Sequence, residues 1–237
     1  NNNDKIKIDS LEESIIVCGE LHPNTNHKSI LSLSEFLSAP IFADPTSNIR
    51  YYKEHANIFS NYNLFLKNMD MNPKQIIRFG RKPTSKILRD IISNHKKVIL
   101  IDEDKMFNDD ANIFIRSELD SFVKNISESY DSIKENSILN NIRSVEKNIR
   151  NHISRLNINQ MMCEGILIKD ILDLVDADSN IFIGNSMAIR EMDDLTINLN
   201  KRINIFANRG ASGIDGLLST ALGISSVSRS EQNIAII

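Results

Sequence analysis

Cysteine is scarce in this sequence of 237 residues, tryptophan is absent, and no long apolar run occurs. The two cysteines, Cys18 and Cys163, lie far apart within apolar stretches, where a buried thiol is the expected state, so a disulfide framework is not indicated. No run approaches the length of a transmembrane helix, and the sequence begins with no signal-peptide region. These absences predict a globular, cytoplasmic protein with no membrane partner.

An excess of positive charge is also missing. The chain has 28 lysines and arginines against 31 aspartates and glutamates, a net charge of −3, so no overall positive field attracts nucleic acid or anionic lipid. One basic stretch contains Arg143, Lys147, Arg150 and Arg155. Because it lacks the interspersed aromatic residues of single-strand binders, we interpret it as a solvated helix face and expect no nucleic-acid partner.

Short apolar runs alternate with helical patterns in the first half of the chain. The predicted strands cover 14–19, 40–43, 74–79 and 97–102. The predicted helices cover 24–37 and 84–92, with caps at Asn24 or Thr25 and at Thr84 or Ser85. This alternation predicts a Rossmann-like α/β domain built on a parallel sheet. Its turns, GELHPN and GRKPTS, hold no second glycine for a pyrophosphate, so a dinucleotide site is not expected.

Two further stretches of this half have helical patterns. Residues 51–70 carry apolar positions at loose helical spacing, and 111–156 is polar and free of glycine and proline, so long helices are expected in the latter. We interpret 111–156 as the close of the first domain and a helical connector. The predicted domains are therefore 1–156, an α/β domain with its connector, and 157–237, a second α/β unit.

Glycines and arginines gather in the last quarter of the chain. Helices are predicted over 165–175 and 214–224, and strands over 180–183, 203–207 and 233–237. Arg190 and Arg209 lie in the segments that follow the first two of these strands. Because parallel strands deliver such segments to one edge of a sheet, we expect both guanidinium groups at the same rim, suited to carboxylates or phosphates. Gly210, Gly213 and Gly216 permit a tight turn close to a ligand.

The motifs GNSMAIREMD and ANRGASGIDGLLSTALG in this part resemble the paired signature of the MenD family of menaquinone-pathway synthases. Members are 2-succinyl-5-enolpyruvyl-6-hydroxy-3-cyclohexene-1-carboxylate synthases, transferases that depend on thiamine diphosphate and Mg²⁺, with Mn²⁺ as an alternative. The resemblance implies decarboxylation of 2-oxoglutarate and addition of the succinyl carbanion to isochorismate. It also implies that 1–156 is a middle, transhydrogenase-like domain and 157–237 a truncated diphosphate-binding domain.

The same resemblance indicates which parts of the family's machinery this sequence lacks. In the family, a Gly-Asp motif and an asparagine beyond the strand that matches 233–237 hold the metal and the diphosphate. An amino-terminal domain carries the glutamate that activates the cofactor. Neither part has a counterpart here, so no catalytic residue and no metal ligand is assigned. We expect an inactive piece of a longer polypeptide whose full-length form is a homodimer or homotetramer.

Substrate-binding residues are assigned from the resemblance. The family uses the serine and the arginine that match Ser186 and Arg190 to bind substrate carboxylates. Asn185, Arg209 and Lys86 are assigned to the substrates as well, Lys86 reaching the site from the middle domain. From the residues alone, Asn185 and Ser186 would only cap a helix and Arg190 would be a solvated side chain.

Cofactor-binding residues are assigned in the same way to Ser212, Gly213 and Ile214. The aliphatic side chain that matches Ile214 supports thiamine diphosphate in its bent form, although position alone makes Ile214 a core residue at the first turn of its helix. Ser212 has no histidine nearby and is not part of a Gly-x-Ser-x-Gly elbow, so serine hydrolase chemistry is rejected. We interpret Asp193 and Asp194 as a solvated pair at the end of a helix.

Two other functions stay open at this point. One is a different thiamine diphosphate enzyme, of the acetohydroxyacid synthase type, against which the motif NRGASGID argues. The other is a non-catalytic α/β module with a regulatory or scaffold role.

Overall fold

Six parallel strands form the larger of two sheets. A computed structural model describes residues 8, 11–104, 109, 111–159, 162–210, 213–230 and 232–237. The strands of the larger sheet are β1 (Ser14–Cys18), β2 (Ile41–Ala43), β3 (Ile58–Phe59), β4 (Gln75–Phe79), β5 (Val98–Asp102) and β6 (Ile113–Arg116). Their order is β3-β2-β1-β4-β5-β6, and all neighbours are parallel. The predicted Rossmann-like α/β fold is confirmed, with the reversal of strand order between β1 and β4.

Helices cover both faces of the larger sheet. They are α1 (His27–Phe36), α2 (Lys86–Asn94), α3 (Leu119–Ser129) and α4 (Ser137–Ile153). On one face, Ile30 of α1 and Phe122 of α3 pack in one core cluster. On the other face, Leu88 of α2 and Ile142 of α4 belong to a second cluster. Because both faces are buried, the central strands are continuous apolar runs, which is why the sequence pattern locates them.

The starts of α1 and α2 differ in how well the sequence predicts them. Ser85 caps α2 as predicted, because its hydroxyl accepts a hydrogen bond from the Leu88 N–H at 3.1 Å. α1 begins after Asn26, later than predicted, and the Asn26 side chain makes no capping hydrogen bond. It donates instead to the Asp120 carboxylate of α3 at 3.0 Å. A contact between two helices therefore replaces the local cap.

The helical pattern expected over 51–70 is wrong. This stretch contains β3 and the short 3₁₀ turns Tyr62–Leu64 and Leu66–Asn68. Phe59 of β3 and Leu66 of the second turn are both buried in the second core cluster, so their spacing reflects burial and not a helix. An extended backbone at β3 pairs with β2, which excludes a helix at that point.

The sequence pattern also misses β6, which lies in the stretch expected to be helical from residue 111. Ile113 and Phe114 are each 40% exposed, so β6 does not have the buried apolar run of the other strands. It is an edge strand whose position is fixed by backbone pairing with β5. α3 and α4 occupy much of the remaining stretch as expected.

A smaller parallel sheet follows. Its strands are β7 (Asn180–Ile183), β8 (Asn204–Ala207) and β9 (Asn233–Ile236), in the order β8-β7-β9. Its helices are α5 (Glu164–Leu174), α6 (Met187–Leu195) and α7 (Leu217–Val227). The elements of a second α/β unit are confirmed. The predicted domain boundary after residue 156 falls between α4 and α5 and stays a prediction.

A buried ion pair joins the two parts of the chain. Arg50, which follows β2, and Asp193 of α6 have side chains at most 1% exposed, and Arg50 Nη2 lies 2.6 Å from Asp193 Oδ1. The Tyr62 hydroxyl donates to the same oxygen at 2.8 Å, and Asn63 donates to the other at 2.8 Å. Burial raises the pKa of Asp193, and the Arg50 guanidinium opposes that rise. The expectation that Asp193 and Asp194 form a solvated pair is therefore wrong for Asp193.

Among the described helices, none is long and apolar enough to cross a membrane.

Candidate active site

Two loops meet at the carboxyl edge of the smaller sheet. The first joins β7 to α6 and contains Asn185 and Ser186, and the second follows β8 and contains Arg209 and Gly213. The Asn185 side-chain nitrogen donates a hydrogen bond to the Gly213 carbonyl at 3.1 Å. The structure thus brings these loops together, as neighbouring parallel strands require.

Ser186 has an unusual backbone conformation at the start of α6. Its φ is 63° and its ψ is −120°, a combination that is sterically unfavourable for residues other than glycine. Ser186 occupies the N-cap position, yet its side chain makes no capping hydrogen bond. The simple capping role is therefore wrong, and the exposed hydroxyl is available to a ligand. Such strain is typical of residues held in place for function.

The two arginines lie in different elements and at different depths. Arg190 is exposed and lies in α6, and Arg209 is half-buried, two residues after β8. Arg209 lines a recess of about 380 Å³ together with Asn208, Gly213, Asp215 and Gly216. No hydrogen bond or ion pair within the described ranges engages either guanidinium. Both are therefore available for anionic groups.

The cofactor residues belong to an open turn before α7. Ile214 is 77% exposed, and because α7 begins only at Leu217, the expectation of a core residue in the first helical turn is wrong. Gly213 is exposed, and a Cβ added there would meet no atom within 4 Å. An exposed aliphatic side chain beside an open glycine turn fits the supporting role that the resemblance implies. Ser212 lies outside the described residues.

Lys86 is placed by the larger sheet. It is the exposed first residue of α2, directly after the Ser85 cap. The Ser85 hydroxyl donates to Asn63, whose side-chain nitrogen donates to Asp193 and Asp194 of α6, each at 2.8 Å. The start of α2 is thereby fastened to the helix that carries Arg190. No hydrogen bond or ion pair joins Lys86 to the described residues of the two loops of the smaller sheet.

A cleft of about 430 Å³ separates the carboxyl edge of the larger sheet from β8 and α7. One wall comes from Glu20, His22 and Arg81, which follow β1 and β4, and the other includes Ala207 and Thr220. Sequence reasoning assigned no role to Glu20 or to His22. Their position after β1, beside the reversal of strand order, is the signal by which both could have been found.

The reversal point itself is closed by backbone. The Gly19 N–H donates to the Phe79 carbonyl at 3.0 Å, and the Arg81 N–H donates to the Glu20 carbonyl at 3.1 Å. A Cβ at Gly19 would lie 1.6 Å from the Arg81 carbonyl oxygen, and Gly80 has a φ of 73°. Only glycine permits this approach. The crevice that holds a dinucleotide in open sheets of this order is filled by the chain itself.

Glu20 contributes a half-buried carboxylate to the cleft. Its Oε2 is buried without a hydrogen-bond partner among the described residues, and the Arg81 Nη1 lies 3.8 Å away. Burial raises the pKa of Glu20, and Arg81 and then Arg209 oppose that rise. The field of Arg209 therefore reaches from the smaller sheet into the cleft.

In the part of the chain that the structure describes, no three histidine, cysteine or acidic side chains lie close enough to hold a metal ion.

Comparison with known proteins finds enzymes that are similar to this chain. It is 36% identical over 222 residues to the 2-succinyl-5-enolpyruvyl-6-hydroxy-3-cyclohexene-1-carboxylate synthase of Bacillus pumilus (strain SAFR-032), which covers 90% of this chain and 38% of that protein. It is 31% identical over 219 residues to the synthase of Desulfitobacterium hafniense (strain DSM 10664 / DCB-2), over 90% of this chain and 40% of that protein. No protein-family model matches the chain.

The chain thus spans about two fifths of the length of the curated relatives that it matches. The match extends well beyond the two motifs, because it includes nine tenths of the residues of the chain. The resemblance indicated by those motifs is confirmed, and the chain is related along most of its length to the 2-succinyl-5-enolpyruvyl-6-hydroxy-3-cyclohexene-1-carboxylate synthases.

Proposed function

We propose that this chain forms part of a synthase of menaquinone biosynthesis that decarboxylates 2-oxoglutarate and adds the succinyl carbanion to isochorismate. The observation that supports this most is the contact between Asn185 and Gly213, which joins the two motif-bearing loops at one sheet edge. The names of the relatives support the reaction class. The activity belongs to the full-length protein, for which a cytoplasmic homodimer or homotetramer stays a prediction.

The substrates account for the basic character of the site. Both 2-oxoglutarate and isochorismate carry two carboxylates, so the protein must hold several negative charges in turn. Arg190 and Arg209 supply guanidinium groups that bind carboxylates in a bidentate manner. Ser186 supplies a hydroxyl free of its capping role, and Asn185 is oriented by Gly213. Lys86 adds a point charge from the start of α2.

The exposure of Ile214 and the open space around Gly213 support the assignment of this turn to thiamine diphosphate. When bound, this cofactor supplies an electron sink for the carbanion left by decarboxylation. The role of Ile214 is to support the cofactor by apolar contact, and Gly213 lets the backbone approach it. Mg²⁺ or Mn²⁺ would accompany the diphosphate, and no residue of this chain is assigned as its ligand.

Arg209→Ala in the full-length protein is expected to raise KM for an acidic substrate about 10- to 100-fold, because one charge-assisted hydrogen-bonding group is lost. Lys86→Ala should act in the same direction. The measurement is initial rate at limiting 2-oxoglutarate and, separately, at limiting isochorismate.

Arg202→Ala is the matched control. Arg202 precedes β8 at the opposite end of the same strand and lies 3.4 Å from Asp178. Replacing Arg202 changes the net charge by the same amount as replacing Arg209, but it leaves the carboxyl edge of the sheet intact. If Arg209→Ala and Arg202→Ala gave the same KM values for both substrates, the assignment of Arg209 to substrate binding would be wrong.

A further inference from the structure

A second cleft, of about 440 Å³, lies between α4 and the edge strand β3. The residues that line it include Glu54, Arg143, Glu146, Lys147, Arg150 and Ile197. None of them belongs to the candidate active site or to the cleft beside Glu20. We refer to this cavity as the α4 cleft.

Positive side chains occupy one wall of the α4 cleft. Arg143, Lys147 and Arg150 follow one another along α4 at intervals of four and three residues, so they share a helix face. The sequence pattern suggested a solvated face for these residues and Arg155. Arg143 and Lys147 are exposed, as that interpretation expects, and Arg150 is half-buried. All three also line a cavity with an apolar side formed by residues such as Ile197.

Two of these cations are held in place by neighbours. Arg143 Nη2 donates to the Asn57 side-chain oxygen at 2.8 Å, which leaves its positive charge without a counter-ion. Arg150 Nη2 donates to Glu54 at 2.9 Å. Lys147 is exposed and has no hydrogen bond or ion pair among the described residues. The wall therefore presents one fixed guanidinium and one free ammonium group whose charges are not neutralised.

The negative charge beneath this wall is shielded. Glu146 is 3% exposed, and its Oε1 accepts hydrogen bonds from the Ser60 and Asn61 N–H groups at 2.9 and 3.2 Å. Its Oε2 is buried without a partner in the described structure. Burial raises the pKa of Glu146, and the two backbone N–H groups and Arg150 oppose the rise. Because the carboxylate is turned toward backbone, it does not neutralise Lys147.

We infer that the α4 cleft binds a small organic anion, carboxylate or phosphate, through Lys147 and Arg143, with its carbon skeleton against Ile197. Charge-assisted hydrogen bonds to these groups supply the affinity, and the cavity volume suits a metabolite. Ile197 follows α6, and the Asn61 side chain donates to the carbonyls of Asp194 and Thr196 in the same region. A bound anion would therefore contact both α4 and the segment after α6. This inference does not depend on the proposed function.

The test is a calorimetric titration of the 237-residue chain at low ionic strength. Citrate and inorganic phosphate are used as probes in separate titrations. Saturable binding of at least one probe is expected, and Lys147→Ala should weaken it about tenfold, the loss of one charge-assisted hydrogen bond. Lys147→Arg should retain most of the affinity. Binding of citrate alone indicates a carboxylate ligand, and binding of phosphate alone indicates a phosphorylated one.

Arg155→Ala is the matched control, because Arg155 is an exposed cation just beyond the end of α4 and does not line the cleft. It should leave both affinities unchanged. Circular dichroism checks that each variant is folded. Because Lys147 is exposed, its replacement should leave the fold intact. The inference would be overturned if neither probe bound, or if Lys147→Ala weakened binding no more than Arg155→Ala.

Discussion

Asp193→Asn is expected to lower the free energy of unfolding by about 3–5 kcal/mol, the usual cost of leaving one member of a buried ion pair alone. Arg50 is fully buried, and its Nη2 lies 2.6 Å from the Asp193 carboxylate. Its other hydrogen bonds go to uncharged groups, among them the Ala43 and Asp193 carbonyls at 2.7 and 3.1 Å, and do not neutralise the guanidinium. Urea unfolding followed by circular dichroism measures the change.

Asp194→Asn is the matched control for this substitution. Asp194 is the next residue and also accepts a hydrogen bond from Asn63, but it is only half-buried and forms no ion pair with Arg50. Its replacement should change the free energy of unfolding by less than about 1 kcal/mol. Equal effects of the two substitutions would show that the pair between Arg50 and Asp193 does not stabilise the junction.

The second large effect is a loss of stability in acid caused by His27. Its side chain is buried, its Nε2 has no hydrogen-bond partner among the described residues, and its ring lies 5.2 Å from the Tyr52 ring. Burial lowers the pKa of His27 to about 4, from 6.5. The unfolded chain therefore takes up a proton first as pH falls. The free energy of unfolding has its full value above about pH 6.5. It decreases by about 3 kcal/mol in total as the pH falls towards 4.

His27→Phe should remove this decline while keeping the ring contact with Tyr52. The free energy of unfolding is measured at several values between pH 4 and 6.5 and compared with the unsubstituted chain, since carboxylates titrate in the same window. His152→Phe, at an exposed position of α4, should leave the slope unchanged. An unchanged slope in His27→Phe would contradict the assignment.

The buried strands of both sheets could be predicted because a strand that is buried on both faces has a continuous apolar run, as in β1, β5 and β7. β3 and β6 could not. The first is only two residues long, and the second is half-exposed at a sheet edge, so the identity of both depends on the strand beside them. Backbone pairing of that kind does not produce a periodic pattern of apolar residues in the sequence.

The features of the candidate site were likewise only partly predictable from the sequence. Asn185, Ser186 and Arg209 could be located from motifs, because each lies within a few residues of its strand. The burial of Asp193 could not, since it depends on Arg50, which is 143 residues earlier in the chain. The cleft beside Glu20 is likewise formed by segments that only the tertiary fold brings together. A single sequence does not reveal which distant segments are in contact; the tertiary structure is needed for that.

The backbone crossing at Gly19 and Gly80 has a consequence for the cleft beside Glu20. Two hydrogen bonds and a contact that admits no side chain tie the ends of β1 and β4 together on the larger-sheet side of the cleft. The opposite wall of the cleft, formed by residues such as Ala207 and Thr220, belongs to the smaller sheet and α7. A larger side chain at Gly19 or Gly80 would therefore displace one wall of the cleft relative to the other.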